Sequence, residues 1–244
     1  MKNSIVIIPT YNEIENIEAI IRRVFSLYDN VHVLIIDDGS PDGTANKVKE
    51  LQQTFTNQLF IEERTGKLGL GTAYIHGFKY ALAKGYEFIF EMDADFSHNP
   101  ADLIKLYEAC ASGKGDMSVG SRYKNGVNVV NWPMNRVLLS FFASKYVQLI
   151  TGMPINDATA GFVCYTSKVL KQINLDKVRF IGYAFQIEMK FTTWRLGFNI
   201  EEVPIVFTDR TLGTSKMSSN IVTEALFGVI SLKLRSLFKK PNSI

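Results

Sequence analysis

Phe88-Ile89-Phe90-Glu91-Met92-Asp93-Ala94-Asp95-Phe96-Ser97-His98 is the stretch that decides the fold, because an apolar run ends abruptly in two carboxylates. A short run that is rich in Phe and Ile predicts a buried strand. Directly after it, Asn99 is a predicted helix N-cap and Pro100 occupies the first helical position. Asp93 and Asp95 are therefore predicted at the carboxyl end of a strand, the edge at which open α/β sheets bind ligands.

The spacing of Asp93 and Asp95 suits a metal ion. In an extended segment, residues two apart point to the same side, so both carboxylates can face one cation. Such a pair favours Mg²⁺ or Mn²⁺, which keep several water molecules and take other ligands from substrate phosphates. A bare Asp-x-Asp also occurs as decoration of a βα turn, but the strand before it and the capped helix after it favour the metal site.

The composition is that of a folded protein with a sizeable core. The chain has 244 residues, of which 46% are hydrophobic and 21% charged, enough for one large α/β domain or two small ones and unlike a disordered chain. The net charge of +3 is too small to indicate a nucleic-acid partner. Cys110 and Cys164 have no zinc-ligand spacing and predict a reducing compartment. The first apolar stretch is short and runs into Pro9, so no signal peptide is expected.

Further apolar runs predict strands that alternate with helices. Strands are predicted over residues 4–8, 31–36 and, more weakly, 59–63. A helix is predicted over about residues 13–27, with Asn12 as its N-cap. The second strand ends in Asp37-Asp38-Gly39-Ser40, so two strands end in acidic, turn-forming residues at the same edge of the sheet. This alternation, through about residue 121, predicts a doubly wound sheet.

The turn Thr65-Gly66-Lys67-Leu68-Gly69-Leu70-Gly71 is rich in glycine, but its spacing departs from the dinucleotide-binding fingerprint. Glycines in such a turn permit close approach of the backbone to a sugar or phosphate. Plain packing of a helix on the sheet accounts for them equally well, and both interpretations stay open.

Several motifs taken together resemble one enzyme family. They are Pro9-Thr10-Tyr11-Asn12-Glu13, Asp37-Asp38-Gly39-Ser40, Lys67 with its glycine cluster, Met92-Asp93-Ala94-Asp95 and Gly120-Ser121-Arg122-Tyr123. Their combination, over about residues 4–230, is similar to the inverting family 2 glycosyltransferases that use nucleotide sugars and have the GT-A fold. A narrower resemblance, to catalytic subunits of the dolichyl-phosphate (polyprenyl-phosphate) mannose synthases, rests on residues 69–77, Ser97-His98, Asp209-Arg210 and Gly213-Thr214-Ser215-Lys216.

The resemblance implies a Rossmann-like, doubly wound, mostly parallel sheet with peripheral amphipathic helices. It implies transfer of mannose from GDP-mannose to dolichyl or another polyprenyl phosphate, with inversion and with Mg²⁺ or Mn²⁺ as cofactor. The guanosine end of the donor is implied to lie at Pro9, Tyr11, Glu13, Ile36 and Asp38. The diphosphate and metal are implied to lie at Asp93, Ala94 and Asp95, with Ser97, where some relatives have Gln, as a further metal ligand.

The resemblance also implies the charged groups that act on phosphate. Contacts to the donor diphosphate or the acceptor phosphate are assigned to Arg122, Arg210 and Lys216. The implied catalytic residues are Asp95, Arg122 and Arg210. Two alternatives remain: a related enzyme that uses a UDP-sugar or a soluble acceptor, and a nucleotide-sugar-binding protein without catalytic activity.

A phosphate monoester acceptor needs no general base, because its second pKa of ~6 makes it an oxyanion at neutral pH. This agrees with three histidines, none of them set in an obvious triad. His98 is interpreted as lining the site or as a packing residue, and Glu188 as a contact to mannose hydroxyls. Asp157, in a segment that resembles the acceptor side of the family's site, is expected to orient an arginine, line the sugar pocket or cap a turn.

Residues 125–165 are the predicted acceptor region. An apolar helix over residues 137–144 lies between Arg136 and Lys145 and is too short to span a bilayer. It suits an interfacial helix or simple core packing equally well. Arg136 and Ser140 are one helical turn apart and are a predicted pair for the acceptor phosphate.

The chain is predicted to divide into a catalytic domain, residues 1–220, and a C-terminal amphipathic and basic segment, residues 221–244. The segment is apolar over residues 221–238, with Lys233, Arg235, Lys239 and Lys240 as its basic residues. Its uncharged run is too short for a transmembrane helix. We expect it to contact the cytoplasmic face of a membrane peripherally or to meet a small membrane-tethering subunit; packing on the catalytic domain is the alternative.

Overall fold

The computed structural model describes residues 1–182, 184–210 and 220–238, and in the last range the side chains from residue 226 onward. The strands in these residues are β1 (Ser4–Thr10), β2 (Val31–Asp37), β3 (Leu59–Glu63), β4 (Phe88–Glu91), β5 (Met117–Ser121), β6 (Val129–Val130), β7 (Val163–Thr166), β8 (Ile200–Pro204) and β9 (Phe207–Thr208). The helices are α1 (Ile17–Leu27), α2 (Thr44–Gln52), α3 (Leu70–Ala83), α4 (Leu103–Ala111), α5 (Met134–Thr151), α6 (Ser167–Gln172), α7 (Ala184–Arg195) and α8 (Asn220–Phe238). Short 3₁₀ turns at Pro100–Asp102 and Leu175–Lys177 complete the helical structure of the described residues.

The central sheet has the strand order β3-β2-β1-β4-β7-β5-β8. Its first four strands pair in parallel, and β8 pairs in parallel with β5. Strand β7 is inserted between β4 and β5 and is antiparallel to both. The carboxyl ends of β1, β2, β4 and β5 therefore meet at one edge, which confirms the predicted doubly wound, mostly parallel sheet.

Strand β1 shows why both faces of the sheet are covered. Successive strand side chains point to opposite faces. Val6 and Ile8 pack in a core with residues of α1, α2 and α4, whereas Ile5 and Ile7 pack in a second core with residues of α3, α6 and α7. All four are fully buried, as expected for a parallel strand with helices on both sides. A third core joins α5, α7 and α8.

The helix after the predicted metal-binding stretch begins as the sequence predicts. The Asn99 side-chain oxygen accepts a hydrogen bond from the Ala101 amide at 3.0 Å. Pro100 opens the 3₁₀ turn that continues into α4. The predicted cap of α1 is wrong, however, because Asn12 has a φ of 55° and the helix begins only at Ile17.

The glycine-rich turn before α3 packs against the chain itself. The Gly71 amide donates to the Ile181 carbonyl at 2.9 Å. A Cβ atom at Gly71 would lie 2.7 Å from the Phe180 carbonyl oxygen and 2.8 Å from the Phe185 ring. Gly71 therefore packs closely against residues 180–185 and not against the sheet.

Candidate active site

The predicted metal pair lies at the carboxyl edge of the sheet, just beyond the end of β4 at Glu91. The chain does not stay extended there, because Phe96 takes a left-handed conformation with a φ of 62°. That conformation is uncommon for a residue other than glycine and turns the chain sharply. The Ser97 amide then donates to Asp95 Oδ1 at 3.1 Å. The two carboxylates therefore lie on a turn and not on an extended strand.

The two carboxylates of this turn differ in their electrostatics. Partial burial and the negative charge of Asp95 raise the pKa of Asp93, whose side chain is 40% exposed, although Arg210 acts in the opposite direction. Burial also acts against the charge of Asp95, but hydrogen bonding from Ser97 and the positive charge of Arg210 hold its pKa below the usual value. Arg210 Nη2 lies 3.0 Å from Asp95 Oδ2. A further positive charge at this turn is therefore needed to keep both carboxylates ionised.

The chemistry of the side chains in the turn fits a divalent ion. The Ser97 hydroxyl is buried beside Asp95 and, within the described residues, makes no hydrogen bond of normal geometry, so its oxygen is a further candidate ligand. No cluster of three or more His, Cys, Asp or Glu ligands occurs in the same residues. Two carboxylates and a hydroxyl are an incomplete set for Mg²⁺ or Mn²⁺, which complete theirs with water and substrate phosphates.

His98 holds the turn from beneath. Its Nδ1 atom accepts a hydrogen bond from the Asp93 amide at 3.1 Å, and its ring stacks on Phe162 at a centroid distance of 4.9 Å. Burial lowers the pKa of His98 to about 4, so the ring is neutral at pH 7. Of the two interpretations of His98, packing and support of the turn is the one seen.

The nucleoside end predicted for the donor lies at the ends of β1 and β2. Asp38 there is paired with Arg64, whose Nε atom lies 2.7 Å from Asp38 Oδ1. Arg64 also donates to the Thr72 hydroxyl at 2.9 Å and so ties α3 to Asp38. Burial raises the pKa of Asp38, and Arg64 partly offsets this. Sequence reasoning missed Arg64, because a single arginine most often is a surface charge.

Three backbone amides of the β1–α1 loop donate to side chains of the β2–α2 loop. The acceptors for Asn12, Glu13 and Ile14 are Ser40 Oγ, Thr44 Oγ1 and Asp42 Oδ2, each at 3.0 Å. The two loops that carry the predicted nucleoside contacts thus form one unit.

The other residues predicted at the nucleoside end lie at or near these loops. Lys67 Nζ lies 5.3 Å from the centre of the Tyr11 ring. Pro9 and Ile36 are paired across β1 and β2, and Ile36 is fully buried. A donor therefore reaches Ile36 only if neighbouring side chains move, and its contact stays a prediction.

Arg122 and Asp157 form a buried ion pair at the end of β5. Asp157 accepts from the Arg122 amide at 2.9 Å, from Nε at 2.7 Å and from Nη2 at 2.6 Å. Arg122 is 8% exposed and Asp157 0%. The Thr159 hydroxyl accepts from Nη2 at 2.8 Å. Of the three expectations for Asp157, the orientation of an arginine is the one seen.

The predicted acceptor residues lie on α5, close to the same edge. Arg136 Nη1 donates to both carboxylate oxygens of Asp209 at 2.8 Å. Its guanidinium lies 4.1 Å from the centre of the Trp132 ring. Since Arg210 contacts Asp95, the neighbours Asp209 and Arg210 connect α5 to the carboxylate turn. Ser140 lies on α5 one turn beyond Arg136, as the sequence predicts.

Lys216 and Glu188 are two further residues to which the sequence assigned a contact. Lys216, with Gly213, Thr214 and Ser215, lies outside the described residues, as do Lys239 and Lys240. Glu188 is buried, and its Oε2 atom accepts from the Arg179 and Phe180 amides at 2.9 Å each. Glu188 therefore holds the segment that packs on Gly71, and the interpretation as a sugar contact is wrong for this arrangement.

Comparison with known proteins identifies the family. A model described as glycosyl transferase family 2 matches residues 5–173. The polyprenol monophosphomannose synthase of Mycolicibacterium smegmatis is 42% identical over 243 residues, which cover 100% of this chain and 91% of that protein. The undecaprenyl-phosphate mannosyltransferase of Micrococcus luteus is 43% identical over 223 residues, which cover 91% and 90% respectively.

Two solved structures share the fold. A mannosyltransferase from Pyrobaculum calidifontis in complex with GDP-Man and Mn²⁺ has a TM-score of 0.64 at 17% identity and covers 99% of this chain and 68% of that one. Glucosyl-3-phosphoglycerate synthase from Mycobacterium tuberculosis, in complex with Mn²⁺, UDP and glucosyl-3-phosphoglycerate, has a TM-score of 0.69 at 18% identity and covers 96% and 79%. The chain therefore belongs to glycosyl transferase family 2, and its resemblance to the polyprenyl-phosphate mannose synthases is confirmed.

Proposed function

We propose that this protein transfers mannose from GDP-mannose to a polyprenyl phosphate, with inversion at the anomeric carbon. The proposal rests on two contacts between charged side chains at the carboxyl edge of the sheet. Asp95 of the carboxylate pair contacts Arg210, and the neighbouring Asp209 contacts Arg136 on α5. Two relatives more than 40% identical, named for mannosyl transfer to polyprenyl carriers, support the choice of donor sugar and acceptor.

Asp38 and the linked loops after β1 and β2 hold the nucleoside end of the donor. The donor diphosphate lies between the carboxylate turn and the two arginines Arg122 and Arg210. These guanidinium groups stabilise the negative charge that develops on the departing diphosphate. Mg²⁺ or Mn²⁺ held by Asp93, Asp95 and the Ser97 hydroxyl would neutralise part of the same charge.

The acceptor phosphate is the nucleophile. One of its oxygens attacks the anomeric carbon of mannose, the bond from that carbon to the diphosphate breaks, and GDP leaves. Arg136 and Ser140 orient the acceptor phosphate. No side chain has to remove a proton, because the acceptor with its second pKa of ~6 is an oxyanion at neutral pH. Accordingly, the neutral His98 has its Nδ1 atom engaged by the Asp93 amide.

An exposed apolar face on α5 and α8 gives the lipid acceptor a place to approach. On α5 it consists of Met134, Leu138, Phe142 and Leu149. On α8 it consists of Phe227, Ile230, Leu234 and Phe238. The opposite side of α8 packs on α5 and α7 through Val229 and Leu232. Helix α8 thus packs on the protein and also presents apolar side chains outward.

We propose that this face lies on the cytoplasmic surface of a membrane, with residues 1–220 as the catalytic domain and 221–244 as the membrane-facing segment. In the described residues, no helix has the length and apolar character needed to cross a bilayer. Amphipathic helices of this kind bind in the interfacial region. A small membrane-tethering subunit on α8 is the alternative occupant.

Vesicle binding tests the membrane contact. Leu138→Glu with Phe142→Glu should abolish sedimentation of the purified protein with anionic vesicles. Gln53→Glu with Thr56→Glu adds the same charge near the other edge of the sheet and should leave binding unchanged. Equal binding of both variants would exclude the α5 side chains as the membrane contact, and no binding of the unmodified protein would exclude direct membrane contact and favour a tethering subunit.

The reaction is tested by measuring transfer of labelled mannose from GDP-mannose to a short-chain polyprenyl phosphate in the presence of Mn²⁺ or Mg²⁺. We expect label in the organic phase, lost on addition of EDTA and in Asp95→Asn. Asp176→Asn, which alters an exposed pair with Lys79, is the matched control and should retain full activity.

The outcomes separate the alternatives. Transfer from a UDP-sugar but not from GDP-mannose would overturn the donor assignment. Metal-dependent binding of GDP-mannose without transfer to any polyprenyl phosphate would overturn the acceptor assignment. Full activity of Asp95→Asn would remove the carboxylate pair from the mechanism.

A further inference from the structure

A lysine ammonium group is fully buried behind the candidate site. Lys190 lies on α7 and has no solvent exposure. Its Nζ atom donates to the Ala160 carbonyl at 2.6 Å and to the Gln186 carbonyl and side-chain oxygen at 3.2 Å each. Burial lowers the pKa of Lys190 to about 8, while Glu91 acts to raise it. Burying an ammonium group is unfavourable unless the group is paired and hydrogen-bonded.

On one side, this lysine is connected to the carboxylate turn. Gln186 accepts from Lys190 through Oε1 and donates through Nε2 to Glu91 Oε2 at 2.5 Å. Glu91 is the fully buried last residue of β4, two residues before Asp93. Lys190, Gln186 and Glu91 therefore form one hydrogen-bonded network that ends directly behind the predicted metal ligands.

On the other side, the lysine holds the loop that orients Arg122. Residues 157–161 include Asp157 and Thr159, which both accept from the Arg122 guanidinium. The start of the loop is held by Glu202, which accepts from the Asp157 amide at 2.9 Å. Lys190 holds its other end through Ala160. The loop is thus fixed at both ends by buried charged side chains.

We propose that Lys190 is a positioning residue for glycosyl transfer, which fixes the Arg122 guanidinium relative to the Asp93–Asp95 turn. The inference rests on the proposed function, in which these groups act together on the same phosphates. Without the ammonium, the Ala160 carbonyl loses its donor and the network to Glu91 is broken. The Arg122 guanidinium then shifts, and a displacement of about 1 Å can lower a rate about 100-fold.

Lys190→Met tests this, because it removes the charge and nearly keeps the volume. We expect kcat for mannosyl transfer to fall roughly 10- to 100-fold. The dissociation constant for guanosine, which lacks the diphosphate, should change by less than about twofold, since Asp38 and Arg64 at the nucleoside end do not belong to the network. Thr193→Val, on the same helix and equally buried, is the control and should retain kcat.

A double-mutant cycle separates positioning from a general structural effect. In an Arg122→Lys background, Lys190→Met should lower kcat by less than about twofold, because the group it positions is already altered. An equal fold-change in both backgrounds would overturn the inference. If Lys190→Met does not fold, Glu91→Gln with Lys190→Met removes both buried charges together, and the same loss of kcat is expected.

A second readout does not depend on activity. The Nε–H group of Arg122 is hydrogen-bonded to Asp157 and gives an NMR signal whose solvent exchange we expect to be about tenfold faster in Lys190→Met. Thr193→Val should leave it unchanged. An unchanged signal in Lys190→Met overturns the inference even where transfer is observed. A faster exchange without any transfer by the unmodified protein would support the positioning of Arg122 by Lys190 and overturn the proposed function alone.

Discussion

Two Arg–Asp pairs in this protein permit a direct test of how burial changes the effect of losing a charge. Arg122 and Asp157 are 10% and 0% exposed in their side chains, whereas Arg136 and Asp209 are 35% and 26% exposed. Each aspartate accepts from the guanidinium through both oxygens. The same change, Asp→Asn, therefore removes the same charge from a buried and from a half-exposed pair.

The expected magnitudes follow from the environment. Asp157→Asn leaves a buried guanidinium without its counter-charge and replaces one acceptor oxygen by an amide nitrogen, which should cost about 3–5 kcal/mol of unfolding free energy. Asp209→Asn should cost only about 0–1 kcal/mol. At about 2–4 °C per kcal/mol for a chain of this size, the melting temperature should fall by about 6–20 °C in the first variant and by at most about 4 °C in the second.

Guanidinium chloride denaturation followed by far-ultraviolet circular dichroism measures both free energies of unfolding. Equal losses in the two variants would refute the reasoning, because they would show that burial does not set the effect. The pH dependence gives a second check. The pKa of Asp157 in the folded protein is lowered from 3.8, with burial opposing and Arg122 outweighing it. The stabilisation is therefore present above pH 3.8 and is lost as the pH falls through the lower folded pKa.

Three further predictions concern single side chains. Arg64→Ala removes the partner of the buried Asp38 carboxylate and should weaken GDP binding about tenfold in calorimetry, whereas Arg22→Ala, in an exposed pair with Glu18, should not. Gly71→Ala should lower the unfolding free energy by about 1–3 kcal/mol through overpacking against Phe180, and Gly66→Ala, with open space around its Cβ position, should leave it unchanged. Ser97→Ala should weaken Mn²⁺ binding, measured by electron paramagnetic resonance with GDP present, roughly tenfold; an unchanged affinity would exclude the hydroxyl as a ligand.

The elements with a local signal were predictable from the sequence. Strand β4 and the turn into α4 followed from an apolar run, two carboxylates and the cap Asn99. Strand β7 was not predicted, because it pairs with β4 and β5, which lie far away in the chain. The position of β7, antiparallel between β4 and β5, depends on those distant partners and cannot be predicted from the local sequence.

Within the candidate site, too, some residues were predictable from the sequence and others were not. The Asp93–Asp95 pair stands at a strand end in the sequence itself, so its position was predictable. Arg64 and Lys190 were missed, because single basic residues most often are solvated surface charges. Only the fold shows that one is paired with Asp38 and that the other is fully buried. A partial signal for Lys190 is its position in the nearly continuous buried stretch at residues 184–193 of α7.

The hydrogen bonds between the β1–α1 and β2–α2 loops have a consequence for protein engineering. The backbone of the first loop is bound by the side chains of Ser40, Asp42 and Thr44 in the second. Grafting the first loop from a relative leaves these acceptors in place, whereas grafting the second alone removes partners from three amides. The hydrogen bonds of the Asn12 and Ile14 amides are exposed to water, so the cost falls mainly on the Glu13 amide, whose hydrogen bond to Thr44 is partly buried. A change of nucleotide preference by loop exchange therefore requires that both loops are transplanted as a single cassette.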